Sequence, residues 1–254
     1  MNKNNNLRTW CKTENIAGFQ SEDSGSNPEV RITLELVNNE KKKFDFDQII
    51  HNNHTYKPNT KLVGRRIDWL IKCNGNYIGA IGVGSSVMAM KPRDDFIGWN
   101  KEQRLRNLVK TCTNWRYCLI DKTNYSSKIL SIFTKEIRKE WKKKFGNNLV
   151  LIETLVEPPY NGTCYRASGW QMIGKTKGLE FKWKNKDELL PTDKVAQKFM
   201  KFGKNIDYNT WKVVIGTNKQ KLIFVKPLHR YWRKELCNVR KTDIKQGELT
   251  NETN

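Results

Sequence analysis

Apolar residues cluster most densely over residues 149–156, where two polar positions interrupt a run rich in β-branched side chains. Such a run predicts a buried central strand. Residues 158–162 predict a sharp loop after it, because proline cannot extend a ladder and Asn-Gly tolerates positive φ. A short helix capped by Thr163 and ended by Gly169, followed by a strand over residues 170–174, completes this unit.

The amino-terminal part of the chain predicts antiparallel strands. Residues 30–37 alternate between apolar and polar, as a half-buried strand does, and residues 41–46 predict a basic turn into a second short element. We interpret the two as an accessory hairpin. Two further strands, over residues 67–73 and 77–83, are joined by Asn74-Gly75, the strongest short hairpin signal.

A helix is predicted to begin at Asn100, where Gln103 stands at the third helical position and completes a capping-box pattern. One face of this helix is basic or amide-bearing. The other is predicted to be apolar and to carry Leu105, Leu108, Val109 and Cys112.

A parallel β-α-β unit is predicted from the middle of the chain. Residues 115–120 read as a buried strand, and apolar side chains at helical spacing predict a long helix from Thr123 or Asn124 to about Phe145. The strand over residues 149–156 follows, and such a crossover is right-handed.

The carboxyl-terminal part is less regular. Residues 184–204 are charged and weakly patterned, which indicates an insertion or a linker. Residues 211–215 and 221–225 predict a hairpin, and residues 228–236 predict a closing helix.

Together these elements predict an α/β fold with a central mixed sheet flanked by helices. Residues 1–60 would form a polar, flexible amino-terminal arm with accessory strands. Residues 61–184 would form the core, and residues 185–254 a carboxyl-terminal extension, a hairpin plus helix, that completes the same domain.

The charge balance narrows the class of partner. The 254 residues include 47 Lys and Arg against 26 Asp and Glu, a formal net charge of +21. Such a balance favours polyanions, and DNA is the natural candidate; the alternative is a lysine-rich proteome in which these residues only keep the surface soluble. No stretch approaches the ~20 apolar residues of a membrane span, so we expect a cytoplasmic protein.

Metal and disulfide chemistry are not predicted. The six cysteines lie far apart without a Cys-x-x-Cys pair, and the three histidines form no ligand cluster with them. Metal ligands are therefore assigned to none of the residues.

Two resemblances add to this picture. Tyr165, Gly169, Trp170 and Gly174 resemble the Y-x-x-x-G-F-x-x-x-G segment of GNAT-fold acyltransferases, which implies a GNAT-like sheet and a general-acid role for Tyr165. Residues 62–236 resemble the DruA family, known from Druantia anti-phage systems and from mobile elements; phage Mom DNA-modification proteins are a more distant analogy. The short sequence segments that resemble the DruA family are Arg93-Asp94, Ile97-Gly98-Trp99, Gln103-Arg104, Asn107-Leu108, Arg116-Tyr117-Cys118-Leu119-Ile120, Gly162-Thr163-Cys164-Tyr165-Arg166-Ala167, Trp170 and Pro227-Leu228-His229.

The GNAT resemblance implies an acyl-CoA cofactor, but the loop that would bind it differs from the GNAT pattern. In GNAT enzymes the turn before the long helix binds the cofactor pyrophosphate through backbone amides. Here that turn has no glycine, and its candidate cofactor residues are Asn124, Tyr125, Ser126 and Ser127. The cofactor is left unknown: acyl-CoA is compatible with the resemblance, but the glycine-rich loop is absent.

Four residues are candidates for catalysis: Tyr165, Glu153, Asp94 and Arg93. Tyr165 is either a proton donor beside the cleft or a buried tyrosine that pins its loop. Glu153 is either a base of raised pKa or one arm of a structural pair with Arg93 or Arg116. Arg93 and Asp94 alternatively form a local ion pair.

Candidate contacts with nucleic acid come from basic and amide side chains in the same elements, although a solvated surface is the alternative interpretation. They are Lys101, Arg104, Asn107, Arg116, Arg166, Lys175 and Lys177.

The function implied by these resemblances is a DNA-acting, GNAT-like protein of phage defence or of phage or mobile-element origin, a transferase that modifies a base amine. Two alternatives stay open. One is a non-catalytic DNA-binding module of a DruA-like defence or transposition system, with defence-system or phage proteins as partners. The other is an N-acyltransferase for a small-molecule or protein amine.

Overall fold

A computed structural model describes residues 30–54, 64–121, 124–202, 205–217 and 219–237. Its strands are β1 (Ile32–Leu36), β2 (Arg66–Cys73), β3 (Asn76–Ser85), β4 (Thr111–Leu119), β5 (Leu151–Val156), β6 (Gln171–Lys175), β7 (Leu179–Asn185), β8 (Lys194–Gln197), β9 (Met200–Phe202), β10 (Asn205–Asp207), β11 (Thr210–Gly216) and β12 (Leu222–Pro227). Its helices are α1 (Glu40–Asn53), α2 (Lys91–Ile97), α3 (Lys101–Asn107), α4 (Ser126–Phe145), α5 (Thr163–Ala167) and α6 (Trp232–Cys237).

Seven strands form the central sheet, in the order β1-β2-β3-β4-β5-β12-β6. β4 and β5 are parallel and are joined by α4, while the other neighbouring pairs are antiparallel. The predicted α/β fold, with antiparallel strands followed by a parallel β-α-β unit and helices on both sides of a mixed sheet, is confirmed. The Asn74-Gly75 hairpin is confirmed too, since both residues have positive φ.

The helices divide between the two faces of this sheet. On the first face α1 packs on Leu70, Ala80 and Cys118, and α2 and α6 pack on Leu151 and Val225. On the second face lie α4, which buries Phe133 against Trp69, and α5. Because successive strand residues point to opposite faces, each strand position can be assigned to one of the two.

The accessory amino-terminal hairpin is a wrong prediction. β1 pairs with β2 at the edge of the central sheet, and residues 41–46 lie within helix α1. The side chain of Asn39 caps that helix, and Phe46, Ile49 and Ile50 bury its apolar face at helical spacing. The predicted arm before residue 30 lies outside the described residues.

The carboxyl-terminal hairpin is also wrong. β11 pairs with β7 and β8 in a separate three-stranded sheet, whereas β12 enters the central sheet between β5 and β6. Ile223, Phe224 and Val225 of β12 are all fully buried, as a strand with two neighbours and two covered faces requires. The short separation of β11 and β12 along the chain favoured a hairpin, but the burial of β12 on both faces requires a central position in the large sheet.

Helix α3 lacks the predicted apolar face. The capping box of Asn100 and Gln103 is present, but the helix ends at Asn107 and a single 3-10 turn follows. Leu105 and Val109 are 52% and 42% exposed, and Cys112 belongs to β4. Within the described ranges, none of the helices is both long and apolar enough to span a bilayer.

Candidate functional site

The two parallel strands of the sheet separate beyond Asn114 and Thr154. Pairing between β4 and β5 extends from Thr111 and Leu151 to these two residues, and β4 then continues to Leu119 without pairing with β5. A crevice at the carboxyl ends of diverging parallel strands is the usual ligand site of an open α/β sheet.

Asn114 and Tyr165 meet where the pairing ends. The Asn114 side-chain amide donates to the backbone oxygens of Gly82 and Arg116, at 2.8 Å each. Its Oδ1 accepts a hydrogen bond of 2.7 Å from the Tyr165 hydroxyl. Since Oδ1 is the acceptor of the amide group, this network orients Asn114 and fixes the position of the tyrosine hydroxyl.

Tyr165 is held in an aromatic cluster. Its ring lies 5.0 Å from that of Trp170, 5.8 Å from that of Phe224 and 6.2 Å from that of Tyr117, and the residue is 7% exposed. Burial raises the pKa of the Tyr165 hydroxyl well above its usual range. The hydroxyl therefore keeps its proton at neutral pH.

The same cluster reaches the amino-terminal end of α4. The Tyr117 hydroxyl donates to the backbone oxygen of Ser126, at 2.9 Å. The candidate cofactor residues Asn124, Tyr125, Ser126 and Ser127 therefore lie at the helix end that Tyr117 connects to the Tyr165 cluster.

This turn does not fit a coenzyme A pyrophosphate held against bare backbone. Tyr125 stands at the cap position with φ −91° and ψ 1°, without a side-chain capping bond, and Ser126 and Ser127 begin the helix. Every position carries a side chain where a pyrophosphate loop uses glycine to let the backbone approach the phosphates.

The other three candidate catalytic residues form a buried ionic network. Arg93 Nη1 lies 3.3 Å from both carboxylate oxygens of Glu153, and Arg93 Nε and Nη2 donate to Asp94 Oδ1 at 3.0 and 2.8 Å. Thr113 donates to Glu153 Oε1 at 2.8 Å, and Arg104 donates to Asp94 Oδ2 at 2.9 Å. Of the two possible partners proposed for Glu153, the structure selects Arg93.

This network leaves the Arg93 guanidinium saturated. Its remaining hydrogen bonds go to the backbone oxygens of Val87 and Met88, at 2.9 and 3.4 Å, and its side chain is fully buried, like that of Glu153. Burial raises the pKa of Glu153, and the charge of Arg93 opposes that rise. The geometry is that of a structural clamp between α2, the segment before it and β5.

The two groups of candidate residues lie on opposite faces of the sheet. Glu153 and Thr113 point to the first face, whereas their neighbours Thr154 and Asn114 point to the second, where Tyr165 lies. The structure therefore does not bring Tyr165 together with Arg93, Asp94 and Glu153 as one constellation.

The candidate nucleic-acid residues are dispersed, and three of them are occupied within the fold. Asn107 is buried and donates to the Leu236 backbone oxygen at 3.0 Å, so it is not available to a ligand. Arg104 pairs with Asp94, and Arg116 is half-buried against the Trp115 ring. The remaining candidates, Lys101, Arg166, Lys175 and Lys177, are exposed.

Asn114, Thr154 and Tyr117 were missed as site residues. Asn114 carried a usable signal, because an amide directly before an apolar strand needs partners if the strand is buried. Cys164, the neighbour of Tyr165, is half-buried, and burial raises the pKa of its thiol, so the thiolate that a nucleophilic cysteine needs is disfavoured.

The family model of the Druantia protein DruA matches residues 2–234. No functionally curated protein matches the sequence.

Several solved acetyltransferases resemble this fold. A putative GNAT-family acetyltransferase from Desulfovibrio desulfuricans has a TM-score of 0.43 at 7% identity, covering 78% of this chain and 100% of its own. The aminoglycoside 6'-N-acetyltransferase from Enterococcus faecium has a TM-score of 0.42 at 10% identity, with 79% and 98% covered. Spermidine N-acetyltransferase from Vibrio cholerae has a TM-score of 0.42 at 8% identity, with 79% and 95% covered. These values describe a distant resemblance of fold alone.

Proposed function

The chain belongs to the DruA family of Druantia defence proteins, and on that premise we propose that it is a transferase that modifies a base amine of DNA, with Tyr165 as the proton donor. The observation that carries this proposal is the placement of a protonated, oriented tyrosine hydroxyl where β4 and β5 separate. A general acid needs a retained proton and a fixed position, and the bond to Asn114 Oδ1 fixes the position of the hydroxyl oxygen; the proton leaves this bond when it moves to the substrate.

In the proposed reaction the base amine attacks the electrophilic carbon of the group to be transferred. A nitrogen–carbon bond forms, and the bond from that carbon to the donor's leaving atom breaks. Tyr165 gives its proton to the leaving atom, and the amine releases one proton to solvent, from which the tyrosine is reprotonated. Because the buried hydroxyl has a raised pKa, its proton moves only as charge develops on the leaving atom.

DNA as the substrate is supported by charge. The excess of 21 positive charges gives the chain a field that attracts a polyanion. A base can reach a crevice of this kind only when it leaves the duplex stack, as it does in other enzymes that act on bases.

One observation favours a second candidate, a DNA-binding module without catalysis. The Tyr165 hydroxyl already donates to Asn114 in a site that leaves the residue 7% exposed. The same bond would then serve only to pin the loop before α5, and the crevice would take no substrate.

Mass spectrometry of nucleosides from plasmid DNA tests the proposal. DNA propagated with the wild-type protein should carry an adduct, whose mass identifies the transferred group, and Tyr165→Phe should abolish it. That variant also leaves Asn114 Oδ1 without its partner and should lose about 1–3 kcal/mol of stability. Ile152→Val, which should cost about 0.5–1.5 kcal/mol at a fully buried position of β5, is the control for destabilisation and should keep the adduct.

Two results would count against base modification. Spectra identical to those of an empty vector, with soluble wild-type protein confirmed, would leave the binding module as the leading candidate. An adduct of equal yield from Tyr165→Phe would remove Tyr165 from the chemistry.

A further inference from the structure

Helix α4 carries a row of cations along one face of a cleft. Lys135, Arg138, Lys139 and Lys142 follow the i, i+3, i+4, i+7 spacing of a single helix face, and all four are exposed. They line a cleft of about 690 Å³ between α4 and the connection from β12 to α6.

These four side chains are not neutralised within the described part of the protein. No ion pair there joins any of them to a carboxylate, and Arg138 is fixed by donating to the Leu228 backbone oxygen at 3.4 Å. Of the described residues lining the cleft, Glu235 alone is acidic, and it faces His229 at 3.4 Å. The cleft therefore presents concentrated positive charge to solvent.

Helix α4 and Lys226 place one wall of the cleft on the same face of the sheet as Tyr165, and Glu235 of α6 lies in its other wall. The Nζ of Lys226 donates to the backbone oxygens of Ser168 and Gly169, at 2.9 and 3.1 Å, directly after α5. Arg104, by contrast, pairs with Asp94 on the first face. A polymer whose base reaches Tyr165 has to lie on the second face.

We infer that this basic cleft binds the phosphodiester backbone of DNA, an assignment that rests on the proposed function and gives it a docking surface. From Lys135 to Lys142 the helix rises about 10 Å, the length of about three nucleotides at 3.4 Å per nucleotide of one strand. From Lys135 back to Ser126 it rises about 14 Å, so the row and the Tyr165 cluster are within reach of one short DNA segment.

Fluorescence anisotropy with a labelled 20-base-pair duplex, titrated between 50 and 200 mM salt, tests this inference. The variant K135Q/R138Q/K139Q/K142Q should bind roughly 100-fold or more weakly at low salt. The slope of log affinity against log salt should become shallower by about 3–4, because each phosphate contact contributes about 0.9.

A matched control separates the cleft from net charge. K182Q/K194Q/K198Q/K219Q removes the same number of charges from exposed lysines elsewhere and should change the affinity only a few-fold. Circular dichroism and thermal unfolding of both variants verify that they fold.

The outcomes are distinct. If the wild type binds DNA and both variants lose affinity equally, or neither does, the cleft assignment is overturned while the proposed function stands. If the wild type does not bind DNA at 50 mM salt, the cleft assignment and the proposed function are both overturned. In another outcome, the cleft variant keeps its DNA affinity and is the one variant that loses binding to poly-glutamate. This result would assign the cleft to an acidic protein and overturn the inference.

Discussion

The carboxyl group of Asp68, on β2, makes the stability of the fold depend on pH. It lies between Arg66 and the indole of Trp115, whose Nε1 donates to it at 3.3 Å. Burial raises its pKa to about 6, against the opposing effect of Arg66. Since the folded pKa lies above the unfolded one, the protonated carboxyl stabilises the fold below about pH 4, and this contribution is lost as the pH rises through about 6.

We therefore expect Asp68→Asn to flatten the pH dependence of stability. Between pH 4 and pH 6.5 the change in unfolding free energy should shrink by about 2–3 kcal/mol, as measured by urea unfolding at each pH. Asp95→Asn, at an exposed pair with Lys91, is the control and should leave the profile unchanged. An unaltered profile in Asp68→Asn would contradict the assignment.

Arg93 offers a second test at the residue scale. Arg93→Met leaves two buried carboxylates, Asp94 and Glu153, without their shared cation and should cost about 3–5 kcal/mol. Arg104→Met removes only a partly exposed partner of Asp94 and should cost about 1 kcal/mol. Chemical denaturation measures both. Normal stability combined with lost activity in Arg93→Met would point to catalysis instead of a structural clamp.

At the scale of elements, the loop into α5 depends on one glycine. Gly162 has φ +75°, and an added Cβ would lie 2.5 Å from the ring of Phe224. Phe224 in turn stacks on Tyr165, so a displacement there reaches the candidate site. The glycine thus combines a backbone requirement with a packing requirement.

Gly162→Ala should therefore lose more unfolding free energy than the same substitution at a positive-φ glycine with open space around it. Gly146 ends α4 at φ +74° with open space around it, so Gly146→Ala should cost about 1 kcal/mol, from conformation alone. Gly162→Ala adds a clash and should lose about 2–4 kcal/mol. Thermal unfolding of the two variants compares them, and equal losses would mean that the Phe224 contact yields without cost.

At the scale of the whole molecule, the small sheet of β7, β11 and β8 is an insertion whose ends meet. Thr217 donates from its backbone N and its hydroxyl to the Gly178 backbone oxygen, at 2.6 and 2.9 Å. The strands of this sheet contact chiefly one another, and their aromatic side chains Phe181 and Trp183 remain exposed.

Replacing residues 179–216 by a short glycine–serine linker should therefore leave the central sheet intact. We expect soluble protein whose melting temperature lies within a few degrees of that of the wild type, because β12 and β6 keep their pairing across the excision. Differential scanning calorimetry measures this. Aggregation, or a broad non-cooperative transition, would show that the insertion supports the central sheet.

Much of the fold was predictable wherever a pattern is local. The Asn74-Gly75 hairpin, the capping box at Asn100, the apolar stripe of α4 and the positive φ of Gly162 all follow from residues a few positions apart. The position of β12 did not, because an apolar strand that follows another along the chain looks like half of a hairpin whichever strand it pairs with. Only burial on both faces and pairing with two neighbours identify it as central.

For the candidate site, too, some features could be predicted from the sequence and others could not. By itself the sequence determined the residue types that need partners: Glu153 within a buried strand, Arg93-Asp94 beside a helix, and Tyr165 after a loop. Tertiary structure alone decided which of them meet. Neighbouring residues of β5 point to opposite faces of the sheet, so Glu153 joins Arg93 on one face, while Thr154 lies with Asn114 and Tyr165 on the other. That separation depends on the pairing of β4 with β5, a contact between segments about 40 residues apart that no local pattern encodes.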